Sequence, residues 1–269
     1  MDELLAKPLV VVTGKGGVGK TTVAAALGLA AARRGLRTIV AEVAARDDLS
    51  RALGGSGAHE DELVDGLHHI SIDPQAAMEE YLDDQLPSGP LADLLASSSI
   101  FTYFAAATPG LRELLTVGKV WELTQDTRRT PGGRPYDLVI LDAPATGHGV
   151  AILTAPRTVA QTARVGRVAR QARTIDEMLS DPARTGVVAV ARPEEMPVNE
   201  TLALERSLRE QLGLPVDLVV ANGVLPGRFT ADEERTVAAP VVTLPFVFEP
   251  ELDAAALTEL SRLLEERAR

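Results

Sequence analysis

The chain has 269 residues, of which 45% are hydrophobic, so it is long enough to bury a substantial core. Its formal net charge of −11 disfavours a nucleic-acid-binding surface, which normally carries an excess of basic residues. The absence of cysteine excludes disulfides, a catalytic thiol and thiolate metal sites. No apolar run approaches the roughly 18 residues of a membrane span, and the acidic start Met1-Asp2-Glu3 does not resemble a secretory signal. We therefore expect a soluble, cytoplasmic protein that binds no nucleic acid and has no membrane span.

Apolar runs and helical periods alternate along the chain. The predicted strands are residues 9–12, 36–43, 67–72, 136–141, 186–191, 216–221 and 241–244. The predicted helices outside residues 74–128 are 20–34, 147–154, 157–180, 197–212, 230–237 and 251–267, with a loop and a short helix at 44–53. This alternation is typical of an α/β protein with a doubly wound, mostly parallel sheet.

Residues 74–128 differ from the rest because helical patterns dominate there. Three helices are predicted, near 74–85, 91–106 and 110–128. We interpret this stretch as a helical insertion within a single domain that spans residues 1–269. Its last helix is apolar around much of its circumference, which indicates burial on more than one side. Packing against the sheet and contact with a partner or client both remain open for these helices.

A glycine-rich segment lies between the first predicted strand and the first long helix. The spacing Gly14-x4-Gly19-Lys20-Thr21 fits the phosphate-binding P-loop pattern in full. Glycines let the backbone approach a ligand, and the N–H groups of the loop and of the following helix attract anions. Within the segment, Lys20 is expected at the β- and γ-phosphates, Thr21 on Mg²⁺ and Thr22 near the α-phosphate. The predicted phosphate-binding residues are Gly14, Lys15, Gly16, Gly17, Val18, Gly19, Lys20, Thr21 and Thr22.

An apolar strand that ends in Asp142 follows the helical stretch. In a P-loop fold, a carboxylate at this place binds Mg²⁺, usually through a water. Strand-end aspartates are also common in turns, so the prediction depends on the P-loop being present. Together the two motifs predict a nucleotide site with Thr21 and Asp142 as the magnesium ligands.

Lys15 and the segment after Asp142 carry a resemblance to a known family. Lys15 resembles the extra lysine of the deviant Walker A ATPases, which include MinD, ParA, the nitrogenase iron protein and the ArsA group. The segment Asp142-Ala-Pro-Ala-Thr-Gly-His148 is similar to switch II of the ArsA group, roughly Asp-x-Ala-Pro-Thr-Gly-His. That group includes arsenite-pump ATPases and the ATPases that target tail-anchored proteins to membranes. The resemblance implies a nucleotide-dependent dimer in which Lys15 reaches the partner's nucleotide.

The same resemblance implies a switch I segment after the second strand. Glu42 falls on the position of the family's water-orienting aspartate, with its carboxylate one methylene further out. Asp47 and Asp48 are alternatives for that role, and Asp48 is as well explained as a residue that starts a short helix. The predicted catalytic residues are therefore Lys15, Lys20 and Glu42.

The base-binding residues are also implied by the resemblance. Asn222, at the end of a later strand, matches the family's adenine-reading asparagine, and its side chain has both a donor and an acceptor. The segment that follows the last strand resembles the family's adenine loop, and its predicted contacts are Pro245, Val247 and Phe248.

These features predict a Mg²⁺-dependent ATPase of the ArsA type that couples its nucleotide state to a protein partner or client. It is expected to act as a homodimer or as a heterodimer with a paralogous ATPase. Arsenite is not an expected ligand, because the chain has no thiolates to hold it. One alternative is a regulatory subunit with weak turnover, since Glu42 replaces an aspartate. Another is a MinD- or ParA-like positioning ATPase, which Glu265-Glu266 in the last helix argues against.

Overall fold

In this computed structural model, the alternating strands and helices fold into an α/β sheet with helices on both faces. The structure describes residues 1–43, 47–56, 59–77, 110–128, 133–163, 166–225, 239–247 and 252–268. Within them, eight strands form one sheet in the order β3-β4-β2-β5-β1-β6-β7-β8, and all neighbours are parallel except β3 and β4. The strands are β1 Leu9–Gly14, β2 Thr38–Val43, β3 Asp61–Val64, β4 Leu67–Ile72, β5 Leu138–Asp142, β6 Thr185–Ala191, β7 Leu218–Val224 and β8 Val241–Pro245.

Helices cover both faces of the sheet. They are α1 Asp2–Leu5, α2 Lys20–Arg33, α3 Asp48–Leu53, α4 Leu111–Leu123, α5 Thr146–Ala163, α6 Arg167–Leu179, α7 Glu195–Leu212 and α8 Ala254–Arg267. Buried side chains of α2 and α8 share one apolar cluster with one face of the central strands. Those of α4, α5, α6 and α7 share a second cluster with the other face. Because both faces are covered, the central strands are apolar throughout, as a buried parallel sheet requires.

The predicted fold class is confirmed, and three local predictions need correction. β3, a short edge strand whose residues alternate in exposure, is not among the predicted strands. Pro156 was expected to separate two helices, but it lies inside α5, and the chain leaves the helix nearer Gly166, whose φ of 103° is not helical. The helix predicted over 110–128 ends at Leu123. The helices predicted at 91–106 and 230–237 lie outside the described residues, as does most of that predicted over 74–85.

A cluster of ionisable groups lies at the amino-terminal edge of the sheet, away from the P-loop. The fully buried Arg128 side chain donates to Glu60 at 2.7 Å and to Glu122 at 3.0 Å. The Tyr136 hydroxyl donates to Glu60 at 2.9 Å. Burial, followed by the nearby charge of Glu60, raises the pKa of Tyr136 to about 12. These contacts fasten the segment that follows α4 to the edge hairpin, so the cluster is structural.

Candidate functional site

The P-loop connects β1 to α2 at the carboxyl-terminal edge of the sheet. Gly14 has a φ of +152°, and a side chain there would collide with the backbone oxygen of Val190 on β6. Gly19 has a φ of +90°, caps α2, and leaves room for the side chain of Asn222. Glycine is therefore required at both positions, first for packing against β6 and then for turning the chain into the helix. This places the first N–H groups of a 14-residue helix at the loop, where they attract an anion.

The polar side chains predicted to bind phosphate and metal converge at the start of α2. The Thr21 hydroxyl donates to the Asp142 carboxylate at 2.5 Å, across 121 residues of sequence. Lys20 lies in the same turn and donates to the backbone oxygen of Lys15 at 2.9 Å. A hydroxyl and a carboxylate in contact fit Mg²⁺, which prefers oxygen ligands and completes its shell with phosphates and waters. The described residues contain no cluster of three or more histidines and carboxylates that could hold a metal without such help.

An open cavity of about 240 Å³ lies beside the P-loop, between it and the ends of β7 and β8. Pro245, Phe246 and Val247 form one wall, and Phe246 is 39% exposed, so it is not a core residue. The full lining is Gly17, Val18, Gly19, Thr22, Arg192, Asn222, Gly223, Pro245, Phe246, Val247, Leu252 and Leu260. Its mostly apolar walls, with the few polar groups of Thr22, Asn222 and Arg192, suit a nucleoside. The predicted contact Phe248 lies outside the described residues.

Asn222 connects this cavity to the P-loop. Its Nδ2 donates to the backbone oxygen of Val18 at 2.9 Å. Because a backbone oxygen can only accept, the amide nitrogen must face the loop, and Oδ1 is left as an acceptor on the other side. The side chain thus braces the loop and offers an acceptor to a base at once.

Glu42 lies next to Asp142 in the sheet, since the two residues are register partners on β2 and β5. It is completely buried, and its Oε2 accepts from the backbone N–H of Leu49 at 3.2 Å. The Nε2 of His69, on β4, lies 2.7 Å from the same oxygen. The Glu42 carboxylate thus accepts from an N–H in the first turn of α3. Asp47 is the N-cap residue of that helix, but its side chain makes no capping hydrogen bond. Asp47 and Asp48 are both exposed.

Lys15 points away from the phosphate cradle, toward α7. Its ammonium group lies 3.3 Å from the Glu200 carboxylate and also contacts the sulfur of Met196. The Lys15 side chain is 30% exposed and Met196 is 62% exposed. Lys15 therefore lies on an accessible surface beside the site.

The structure gathers most of the predicted residues at one edge of the sheet. Of these, Gly17, Val18, Gly19, Thr22, Asn222, Pro245 and Val247 line the cavity. Thr21 and Asp142 meet at the start of α2, next to it. Glu42 lies one strand further along and faces inward. The side chain of His148 lies outside what the structure describes. Sequence reasoning missed Arg192 in the cavity wall and His69 beside Glu42. Arg192 had a usable signal, because it follows the apolar strand β6 directly.

None of the helices in the described part of the chain is long and apolar enough to cross a membrane.

Comparison with known proteins points in the same direction. The family model for the ArsA-type anion-transporting ATPase matches residues 7–167 and 160–238. The chain is 31% identical to the ATPase BagA of Mycobacterium tuberculosis over 224 residues, which cover 80% of this chain and 64% of BagA. It is 28% identical to an arsenical pump-driving ATPase of Escherichia coli, over 87% of this chain and 42% of the pump ATPase. It is 27% identical to the ATPase GET3 of Kluyveromyces lactis, over 80% of this chain and 71% of GET3.

The chain therefore spans less than two thirds of BagA and of the pump ATPase. The matched ranges include the P-loop, Asp142 and Asn222, which the structure brings together. The glycine-rich loop, the Asp142 carboxylate that contacts it and the family match agree, and the chain belongs to the ArsA-type anion-transporting ATPase family.

Proposed function

We propose that this protein binds ATP with Mg²⁺ and hydrolyses it to ADP and phosphate. The observation that carries the proposal is the 2.5 Å contact between Thr21 and Asp142 in the same turn as Lys20. Polar groups from two distant parts of the sequence, Lys20 and Thr21 on one side and Asp142 on the other, meet where the helix α2 begins. Bound Mg²⁺ would neutralise phosphate charge during transfer, and Thr21 and Asp142 would hold it there. Lys20 is the first residue of α2, so its ammonium group would exchange the Lys15 backbone oxygen for the phosphates bound at the start of that helix.

Adenine is the base that the cavity favours. The Oδ1 of Asn222 accepts hydrogen bonds, and adenine presents an amino group at N6, whereas guanine presents an oxygen at that place. A guanine would put two acceptors against each other and lose a bond. Pro245 and Val247 supply apolar contact for the ring.

We further propose that the protein works as a cytoplasmic dimer, with itself or with a paralogous ATPase, and couples nucleotide state to a protein partner or client. Lys15 supports this, because its ammonium group lies on an accessible surface and contacts Glu200 and Met196 on α7. Dimer closure would exchange these contacts for the phosphates of the partner subunit. Some relatives are named as arsenical pump-driving ATPases, but we do not propose arsenite as a ligand of this chain, because it has no cysteine to bind arsenite.

A second candidate is a regulatory subunit that binds nucleotide and turns it over slowly. The observation that favours it is the complete burial of Glu42, whose Oε2 is engaged by His69 and by the N–H of Leu49. Its other oxygen, Oε1, has no hydrogen-bond partner among the described residues but is buried, so the residues over it would have to move before Glu42 could orient a water. Asp47 and Asp48 are exposed and require no such change. A MinD-like membrane helix is disfavoured, since the apolar side of α8 is buried.

The test is release of phosphate from ATP by the purified protein, measured beside Lys20→Ala and Asp142→Asn. Mg²⁺-dependent release in the unaltered protein, abolished in both variants, supports the ATPase. ATP binding without release above the Lys20→Ala background supports the regulatory subunit. If the protein binds no nucleotide, both candidates are wrong. Glu42→Gln, Asp47→Asn and Asp48→Asn, compared in the same assay, show which carboxylate orients the water.

A further inference from the structure

Arg192 is a cationic side chain in the wall of the nucleotide cavity that none of the site's motifs includes. Among the described residues that line the cavity, it is the one charged side chain, and the others are glycines, apolar residues, Thr22 and Asn222. The chain as a whole has a net charge of −11, so a cation facing this space is the opposite of the average surface. A positive charge beside an anionic ligand strengthens binding where water is partly excluded.

The order of the strands places Arg192 along the length of a bound nucleotide. At this edge of the sheet the order is β1-β6-β7-β8. The P-loop follows β1, Arg192 directly follows β6, Asn222 lies in β7 and Pro245 ends β8. A nucleotide with its phosphates on the P-loop and its base at Asn222 must pass β6 between them. The part of the ligand opposite Arg192 is therefore the ribose and the α-phosphate.

The guanidinium group of Arg192 is positioned by one ion pair that leaves its terminal nitrogens available as donors. Its Nε lies 3.1 Å from the Glu194 carboxylate, and the side chain is 43% exposed. Among the described residues, no side chain or backbone oxygen forms a hydrogen bond or ion pair with the two terminal nitrogens. Such a group offers a planar pair of donors, a geometry that suits phosphate oxygens.

We propose that Arg192 binds the ribose–α-phosphate part of the nucleotide and sets its affinity without regard to the base. The inference rests on the proposed nucleotide site and adds a binding residue to it. The terminal nitrogens donate to the α-phosphate while Nε stays on Glu194. Asn222 reads the base one strand further along, so the two residues divide affinity from selectivity.

The experiment measures the dissociation constants of ADP and GDP for the unaltered protein, Arg192→Ala, Arg192→Lys and Arg209→Ala. Arg209 is the matched control, because it forms a similar ion pair, 3.2 Å from Glu205, on the exposed side of α7. Arg192→Ala is expected to raise the dissociation constants of ADP and GDP by the same factor of about ten, because a partly exposed charged hydrogen bond is lost. Arg192→Lys keeps the charge and is expected to lose less, and Arg209→Ala is expected to change neither constant.

Equal affinity in Arg192→Ala and the unaltered protein would overturn the inference. Unequal factors for ADP and GDP would overturn it too, because they would place Arg192 on the base. Both results leave the proposed function standing, since the unaltered protein still binds nucleotide. Failure of the unaltered protein to bind either nucleotide would overturn the proposed function and this inference together.

Discussion

Replacing Glu42 by alanine removes the acceptor that ties α3 to the sheet. Two buried groups lose their partner, the Nε2 of His69 at 2.7 Å and the N–H of Leu49 at 3.2 Å. Each buried donor left without an acceptor costs about 1–3 kcal/mol, so the variant is expected to lose about 2–6 kcal/mol of unfolding free energy. That is a large part of the roughly 5–15 kcal/mol by which a native protein is usually stable.

The assay is urea unfolding of the nucleotide-free protein, followed by circular dichroism, for the unaltered chain, Glu42→Ala and Glu42→Gln. Glutamine keeps one oxygen as an acceptor, so it is expected to lose less stability than alanine. Asp48→Asn is the control, because Asp48 is an exposed carboxylate in the same helix turn. A loss below about 1 kcal/mol in Glu42→Ala would contradict this prediction, since it would mean that neither hydrogen bond stabilises the fold.

Three further predictions concern the rest of the molecule. Arg128→Met removes the cation that bonds to both Glu60 and Glu122, while Lys119 stays 3.6 Å from Glu122, and it is expected to lower the unfolding free energy measured in urea by about 3–5 kcal/mol. A loss below about 1 kcal/mol would contradict a structural role for the cluster. Because the folded pKa of Tyr136 is about 12 against an ordinary value of 10, the stability it adds is complete below pH 10 and is lost as the pH rises to 12. The unaltered chain should therefore lose more unfolding free energy over that range than Tyr136→Phe, and equal losses would contradict the assignment. Asn222→Ala should lower the affinity for ADP and reduce the protein's preference for ADP over GDP. An unchanged preference in competition binding would show that Asn222 does not read the base.

The sequence predicted the sheet and the glycine-rich turn into α2 because both depend on local signals. Strand β1 is apolar at nearly every position, and the P-loop follows it with glycines where only glycine fits. Asp142 was predictable because it ends another such strand. The α/β class then brings the carboxyl ends of these strands together without further information.

What the sequence did not predict depends on contacts between distant residues. The pairing of Glu42 with His69 joins two neighbouring strands, and no local pattern distinguishes a buried carboxylate from one that faces a ligand. β3 begins with Asp61 and Glu62, which have a low preference for strands, and it is stabilised by its pairing with β4. Arg192 enters the cavity because β6 lies between β1 and β7, and that order is a property of the sheet.

The central claim is that Thr21 and Asp142 hold the Mg²⁺ of a hydrolysed ATP, and the Mg²⁺ dependence of phosphate release by Thr21→Ser and Thr21→Ala tests it most directly. Serine keeps the hydroxyl that donates to Asp142 at 2.5 Å, whereas alanine removes it and leaves the fold of α2 intact. Phosphate release by Thr21→Ser is expected to depend on Mg²⁺ in nearly the same way as release by the unaltered protein. Thr21→Ala is expected to need at least about tenfold more Mg²⁺. Release by Thr21→Ala at the unaltered rate and Mg²⁺ requirement would contradict a role for Thr21 in holding Mg²⁺.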